Sequence, residues 1–368
     1  MQKSLLARIQ DGTRKIMVTE KGLSLKRTVP FLLAGVLVFI IYIYFFVGIK
    51  ELIGILRGVN LLYYTIAVAV LILTMLVNAL TWQYFMRPLA VKVPFRKTFL
   101  FTWIGIFVDI LVPAESISGD ASKVYLMTKE SGENAGKVVA SIVSHRILAM
   151  VISLSSLIFS SIVLYTIQYE LPAAVLNLVL LIIIGTGISL FFIFLCILKE
   201  TWTQKIVETV LRFLAFVTRG RLNIINLRTK AAKTLNVFHS SIVLLLKKPT
   251  NLVAPIFFAV VSWLFSIFIS YLVFVSLGQE VDFVLITIVY SVSVNIQSIP
   301  IGIPGEVGLV EIVMTSLYGL LGVEAGIAAA ATVLIRLLTV WLRMIIGVMA
   351  VQWIDLKDLV RNLRQNLL

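Results

Sequence analysis

Six runs of twenty or more residues, at about 28–49, 60–86, 137–166, 173–198, 251–277 and 324–353, are strongly apolar and almost free of charge. A helix rises about 1.5 Å per residue and a bilayer core is about 30 Å thick, so each run is long enough to cross it. None alternates polar and apolar residues at period two, as the strands of a membrane barrel do. The expected fold is an all-α integral membrane protein with six full crossings. Composition agrees: 60% of residues are hydrophobic and 14% charged, against about a quarter charged in soluble domains.

The first 27 residues hold seven Lys/Arg and no apolar core, which excludes a cleavable signal peptide and reads as a basic cytoplasmic segment. The formal charge of +14 raises the question of nucleic acid, but the basic residues cluster beside the ends of apolar runs. That placement fits membrane orientation and anionic lipid headgroups, not nucleic acid. Cys196, the single cysteine, lies within an apolar run and reads as a small buried side chain, so no disulfide framework exists.

Two segments do not read as crossings. Around 96–130 a short apolar arm ends at Pro113 and is followed by an arm too polar to face lipid; around 282–322 a similar pattern breaks at Pro300 and Pro304. Each reads as a re-entrant hairpin of two half-helices, which a membrane tolerates only where protein or a wet cavity shields the irregular backbone. Lys/Arg counts set the orientation. Arg87, Lys92, Arg96 and Lys97, the ten basic residues of 199–248 and the tail at 354–368 fall on the side of the N-terminus, the cytoplasm. The expected localisation is therefore a plasma or inner membrane with both termini cytoplasmic. Within 199–248, Ile224, Leu227, Ala231, Leu235, Phe238, Ile242 and Leu245 recur at helical spacing, with Arg228, Lys230 and Lys233 elsewhere around the helix. This insert reads as amphipathic helices on the cytoplasmic membrane face, basic groups toward anionic headgroups.

The hairpins repeat one another. "PAESISGD", Pro113 to Asp120, and "PGEVGLVE", Pro304 to Glu311, both follow Pro-x-Glu-x4-acid, and an arginine follows each proline, Arg146 by 33 residues and Arg336 by 32. The chain from 28 to 353 is then one transmembrane domain of two units, about 60–166 and 251–353. The crossings that open the two units run in opposite directions, so the repeat is inverted, as in many secondary transporters.

Charges within a bilayer are costly and should face one another or a wet cavity. Candidate substrate-binding residues are Glu115, Ser116, Ser118, Asp120, Lys123, Arg146, Asn295, Gln297, Glu306, Glu311 and Arg336, with Pro113, Gly119, Pro300, Pro304, Gly305 and Gly308 shaping the turns. Half-helices starting after Pro113 and Pro304 would aim N–H groups and positive dipole ends at an anion such as phosphate. Arg146 and Arg336 would add forked donors, and Glu115 and Glu306 would pair with them when the site is empty. Competing roles remain open: Arg336 and a glutamate as a structural lock, Asp120 or Glu311 as helix caps, and Asp109, Lys123, Asn295 and Gln297 as cavity lining or local hydrogen bonders. His145 reads as a buried histidine or a proton relay, His239 as a polar residue of the cytoplasmic helix. Arg343 either extends an electropositive path from Arg336 or snorkels to the interior surface.

Several chemistries lack their parts. "GENAGKV" at 132–138 has the wrong glycine spacing for a phosphate loop and a valine after its lysine. Two histidines and one cysteine make no familiar metal site, and no Gly-x-Ser-x-Gly elbow occurs. No cofactor and no catalytic residue is assigned.

"ILVPAESISGDASKVYLM", "ASIVSHRILAM" and above all "IPGEVGLVE" resemble the flippase-like transmembrane region of the lysylphosphatidylglycerol synthetases, the multiple peptide resistance factors, over about residues 28–353. The last motif is similar to the family's Pro-Gly-Gly-x-Gly-x-x-Glu turn, with Glu306 in place of the second glycine. The first hairpin departs more, with Ala114-Glu115-Ser116-Ile117-Ser118 where the family is glycine-rich. The soluble aminoacyl-transferring domain has no counterpart here. The resemblance implies movement of a lipid between leaflets through a central groove. A phospholipid or isoprenoid-phosphate lipid is the expected cargo. The alternatives are a membrane-embedded transferase with Asp120 or Glu311 as general base, and a scaffold recruiting a soluble synthase. Homo-oligomerisation stays open.

Overall fold

Where the chain supplies caps, its helices begin: the Asn60 side chain accepts from the Leu62 N–H at 3.0 Å, and that of Asn134 from the Gly136 N–H at 2.8 Å. A computed structural model describes residues 49–112, 117–217, 224–299 and 302–366, with helical positions Leu37, Ile40, Ile41 and Tyr44 before them. The crossing expected at 28–49 lies otherwise outside the described residues, as do Pro113, Glu115, Ser116 and Pro300.

The described chain is helical, with no strand among the described residues. Its α-helices are α1 (Ile49–Arg57), α2 (Leu61–Met86), α3 (Phe95–Leu111), α4 (Ile117–Ser131), α5 (Ala135–Thr166), α6 (Ala173–Leu198) and α7 (Glu200–Val217). They continue as α8 (Ile224–Lys247), α9 (Thr250–Ser276), α10 (Phe283–Gln297), α11 (Leu309–Leu320), α12 (Ala325–Arg336) and α13 (Arg343–Asn366). A 3-10 turn, Pro304–Glu306, precedes α11, and a π-helical segment, Leu337–Leu342, joins α12 to α13. Five helices are long and apolar enough to cross a membrane: Leu61–Met86, Ala135–Thr166, Ala173–Ile197, Thr250–Ser276 and the continuous Ala325–Ile354. The arms α3, α4, α10 and α11 have 17, 15, 15 and 12 residues. At about 1.5 Å per residue all four are shorter than a bilayer core.

At the centre α2 and α9 lie antiparallel, packed along their length. The Asn60 N–H donates to the Ser276 carbonyl at 2.7 Å at one end, and the Tyr84 and Phe258 rings lie 5.2 Å apart at the other. Apolar burial divides along this pair. Around the end where α2 starts, Leu71, Phe274, Ile286, Val289, Val310 and Tyr318 form one core, which holds α10 and α11. Around the end where α2 stops, Trp82, Trp103, Met127, Val138 and Leu245 form another, which holds α3 and α4. Contacts between the halves are reciprocal: α3 packs on α13, and α10 on α5.

Two glycines permit backbones to touch. A Cβ at Gly119 would fall 2.2 Å from the Gly105 carbonyl oxygen, so α4 crosses α3 with no room for a methyl group. At Gly136 it would fall 2.4 Å from the Thr234 carbonyl oxygen, so α8 lies against α5. This contact changes the reading of the insert. Leu235, Phe238, Ile242 and Leu245 are buried in the second core, so this stripe is covered by protein rather than by the membrane face. Arg228 of α8 is exposed and pairs with Glu208 of α7.

Candidate functional site

In the first hairpin the N-terminus of α4 meets a carboxylate from the arm before it. Asp109 Oδ1 accepts from the Gly119 N–H at 2.6 Å and from the Ser118 hydroxyl at 3.2 Å. One residue on, Asp120 accepts from Lys123 Nζ at 2.9 Å through Oδ1 and from Arg146 Nη2 of α5 at 2.7 Å through Oδ2. Lys123 lies 6.0 Å from the centre of the Trp82 ring, at the outer limit of a cation–π contact. The acid and arginine matched by the repeat therefore form an ion pair, with Lys123 as a third member.

The second hairpin turns through left-handed backbone at Gly305 (φ 59°), Glu306 (φ 46°) and Gly308 (φ 93°). Glycine adopts this freely, but a side chain there costs about 1–2 kcal/mol. Glu306 thus occupies a position suited to glycine, the residue the resembled motif carries there. Past the turn, Glu311 Oε2 accepts from the Gly308 N–H at 2.7 Å, capping α11, and Oε1 accepts from Arg336 Nε at 2.7 Å. Arg336 Nη2 also donates to the Gly305 carbonyl at 2.5 Å. Glu311 and Arg336 are both buried.

These bonds revise three expectations. The N-terminal N–H groups at Gly119 and Gly308 do not stand open to an external anion, because Asp109 and Glu311 already accept from them. Arg336 is held by Glu311 and the Gly305 carbonyl, so the expected gate pairing with Glu306 is not what the geometry shows. Both Glu311 oxygens are engaged by donors, the state of a structural anion rather than of a general base.

Asn295 is also committed to packing. Its Nδ2 donates to the Ser153 hydroxyl of α5 and to the Ser291 carbonyl, both at 2.8 Å, and its Oδ1 accepts from Thr186 of α6 at 3.0 Å. The resulting polar knot ties α10 to α5 and α6.

A cavity of about 400 Å³ opens where the two hairpins meet, with Asp109 from the first and Gly305 and Glu306 from the second in its wall. Gln297, Tyr290, Arg336 and Arg343 also line it, as do Asn78 and Thr339, which the sequence reading did not single out. The signal at Asn78 was available, since it is the one amide within the apolar stretch 61–82 of α2. A second space of about 480 Å³, lined by residues such as Leu148, Phe191, Phe194 and Leu245, has no charged group in its wall and offers nothing to an ionic headgroup. Among the described residues no cluster of His, Cys, Asp and Glu could hold a metal ion.

Known membrane proteins are similar to this chain over most of its length. Residues 32–347 match the family model described as the lysylphosphatidylglycerol synthase TM region. The UPF0104 membrane protein PH1989 of Pyrococcus horikoshii is 26% identical over 308 residues, 82% of this chain and 89% of that protein. A UPF0104 membrane protein of Methanothermobacter thermautotrophicus is 26% identical over 310 residues, 83% and 90% of the two chains. MJ1595 of Methanocaldococcus jannaschii, another UPF0104 membrane protein, is 24% identical over 314 residues, 85% and 90%. With a match over most of its length and five helices of crossing length, this chain is a multi-pass membrane protein belonging to the lysylphosphatidylglycerol synthase transmembrane-region family.

Proposed function

We propose that the protein moves a phospholipid or an isoprenoid-phosphate-linked lipid between leaflets of the cell membrane. The headgroup passes through the cavity between the hairpins while the tails stay in lipid. Family membership supports a lipid-related role. The observation that carries the reading further is the cavity itself, a polar space inside an apolar protein with wall residues from both hairpins.

The helix arrangement supports two inverted units. Their opening helices α2 and α9 are antiparallel, the hairpins sit in cores at opposite ends of that pair, and each first arm leans on the last helix of the other unit. The four arms, shorter than a bilayer core, suit re-entrant hairpins that meet near the midplane, where inverted-repeat transporters bind substrate. With basic loops and both termini cytoplasmic, the α3–α4 hairpin enters from the cytoplasm and the α10–α11 hairpin from outside.

Leaflet exchange of labelled lipids in vesicles containing the purified protein tests this reading. Faster exchange of an anionic or polyprenyl-phosphate lipid than in protein-free vesicles is expected. Equal rates across anionic, zwitterionic and polyprenyl-phosphate lipids would overturn it.

A further inference from the structure

Three arginines follow the hairpins on the helices that close the two units, and two of them are compensated. Arg146 pairs with Asp120, and Arg336 with Glu311 and the Gly305 carbonyl. The third, Arg343, lines the cavity with Gln297, Asn78 and Tyr290, and the same wall holds two carboxylates, Glu306 and Asp109, the latter accepting from Gly119 and Ser118. Among the described residues no carboxylate forms an ion pair with it, and its buried Nε makes no hydrogen bond. Arg343 lies about 5 Å from the midpoint of Ala325–Ile354 at the helical rise of about 1.5 Å per residue. A guanidinium at that depth is costly unless an anion or water meets it.

One N–H at the start of each second arm is already in use, since those of Gly119 and Gly308 bond to Asp109 and Glu311. The helix between the two arginines is also irregular. In an unbroken α-helix, residues seven apart lie within about 20° of each other around the axis. The π-helical Leu337–Leu342 breaks that register, and π turns recur at functional sites. Arg336 is bonded to the Pro304–Glu306 turn while Arg343 is not.

We infer that Arg343 is the residue with which the cavity holds the phosphate of its ligand, and that Arg336 is a structural lock. The planar fork of a guanidinium suits two phosphate oxygens at once, and the Asn78 and Gln297 amides on the same wall can donate to a third. The inference takes from the transport reading only the idea that the cavity receives a headgroup. The required chemistry is a phosphate anion, whether carried by a lipid or by a free phosphate ester.

Binding to the full chain in detergent tests this apart from transport. Isothermal titration would use water-soluble short-chain phosphatidylglycerol, glycerol phosphate and inorganic phosphate as separate probes, on wild type, Arg343→Gln and Arg343→Lys. At least one probe should bind wild type, with affinity lower by tenfold or more in Arg343→Gln and by an intermediate factor in Arg343→Lys, which keeps the charge and loses the fork. Tighter binding of the short-chain lipid than of glycerol phosphate identifies a lipid source, and equal binding a free phosphate ester. If Arg343→Gln does not fold, the Arg343→Lys comparison decides. No binding of any probe to wild type, or wild-type affinity in the folded variants, overturns the inference. Binding lost with Arg343 in a protein that exchanges no lipid would retain the site and sink the transport reading; lipid exchange without phosphate binding would do the reverse.

Discussion

The two hairpins use the same spacing of acid and arginine and place the pairs in different surroundings. In the second, the side chains of Glu311 and Arg336 are 4% and 5% exposed and every carboxylate oxygen is engaged. In the first, those of Asp120 and Arg146 are 20% and 42% exposed, and Lys123 shares the carboxylate. Spacing decides which groups meet, whereas burial decides what the meeting contributes. Removing one partner of a buried pair costs about 3–5 kcal/mol because a charge is stranded, while an exposed pair contributes about 0–1 kcal/mol. The second hairpin is therefore fastened by its ion pair. The first can exchange partners at little cost.

The strongest way to break this contrast is to remove the two arginines in turn. Arg336→Gln strands the Glu311 carboxylate and the Gly305 carbonyl, with an expected loss of about 3–5 kcal/mol read as a large fall in melting temperature of the purified protein. Arg146→Gln should lose under about 1 kcal/mol in the same measurement. Equal losses would mean that burial does not separate the pairs. Gly119→Ala comes next, because its methyl would overlap the Gly105 carbonyl and the Asp109 carboxylate. Overpacking of this kind costs about 1–3 kcal/mol. A larger loss from Gly119→Ala than from Arg146→Gln would show that close helix contact, more than charge, holds the first hairpin. A negligible loss would remove that distinction.

What could be read from the chain beforehand follows the same division. Five crossing-length helices were legible because length against bilayer thickness is a coarse criterion that packing cannot overrule. That Arg336 could lock onto a glutamate was legible from the matched spacing of acid and arginine, but the choice of acid was not: spacing suggested Glu115 and Glu306 as the partners, whereas Arg146 meets Asp120 and Arg336 meets Glu311. Asp109 as the acceptor at the start of α4 was not, since it reaches Gly119 across a turn rather than along a helix. Nor was the commitment of Asn295 to Ser153 and Thr186, because those residues meet only after α5, α6 and α10 have packed. The apolar stripe of α8 announced that a face is covered but not by what; the close approach at Gly136 supplies the answer.

A smaller effect is expected at Glu306, where a side chain occupies a turn position suited to glycine. Replacement by glycine relieves a left-handed φ of 46°, worth about 1–2 kcal/mol, and is offset by about 0.5–1 kcal/mol of added chain freedom. The melting temperature of Glu306→Gly should hold or rise slightly. If the proposed transport holds, lipid exchange should fall, because the cavity wall loses one of its two carboxylates, with Asp109 remaining. Unchanged exchange would leave Glu306 no part in the transport step.

A third acid–arginine pair extends the burial series to its exposed end. Arg228 of α8 hydrogen-bonds Glu208 of α7, and this bond, then the charge behind it, holds the Glu208 carboxyl below its ordinary value of 4.5. A carboxylate with a lowered pKa in the folded state contributes stability above its unfolded value and loses it as pH falls through the folded value. The α7–α8 contact should therefore be insensitive to pH from neutrality down to about 4.5 and loosen only below. Faster amide hydrogen exchange in α7, corrected for the intrinsic effect of pH, would report it. The change should be small, because both partners are solvated and salt screens them. Arg228→Ala should remove most of the acid dependence, Arg212 of α7 keeping the rest, and leave the melting temperature nearly unchanged. A fall in melting temperature as large as that of Arg336→Gln would show that exposure does not grade these three pairs.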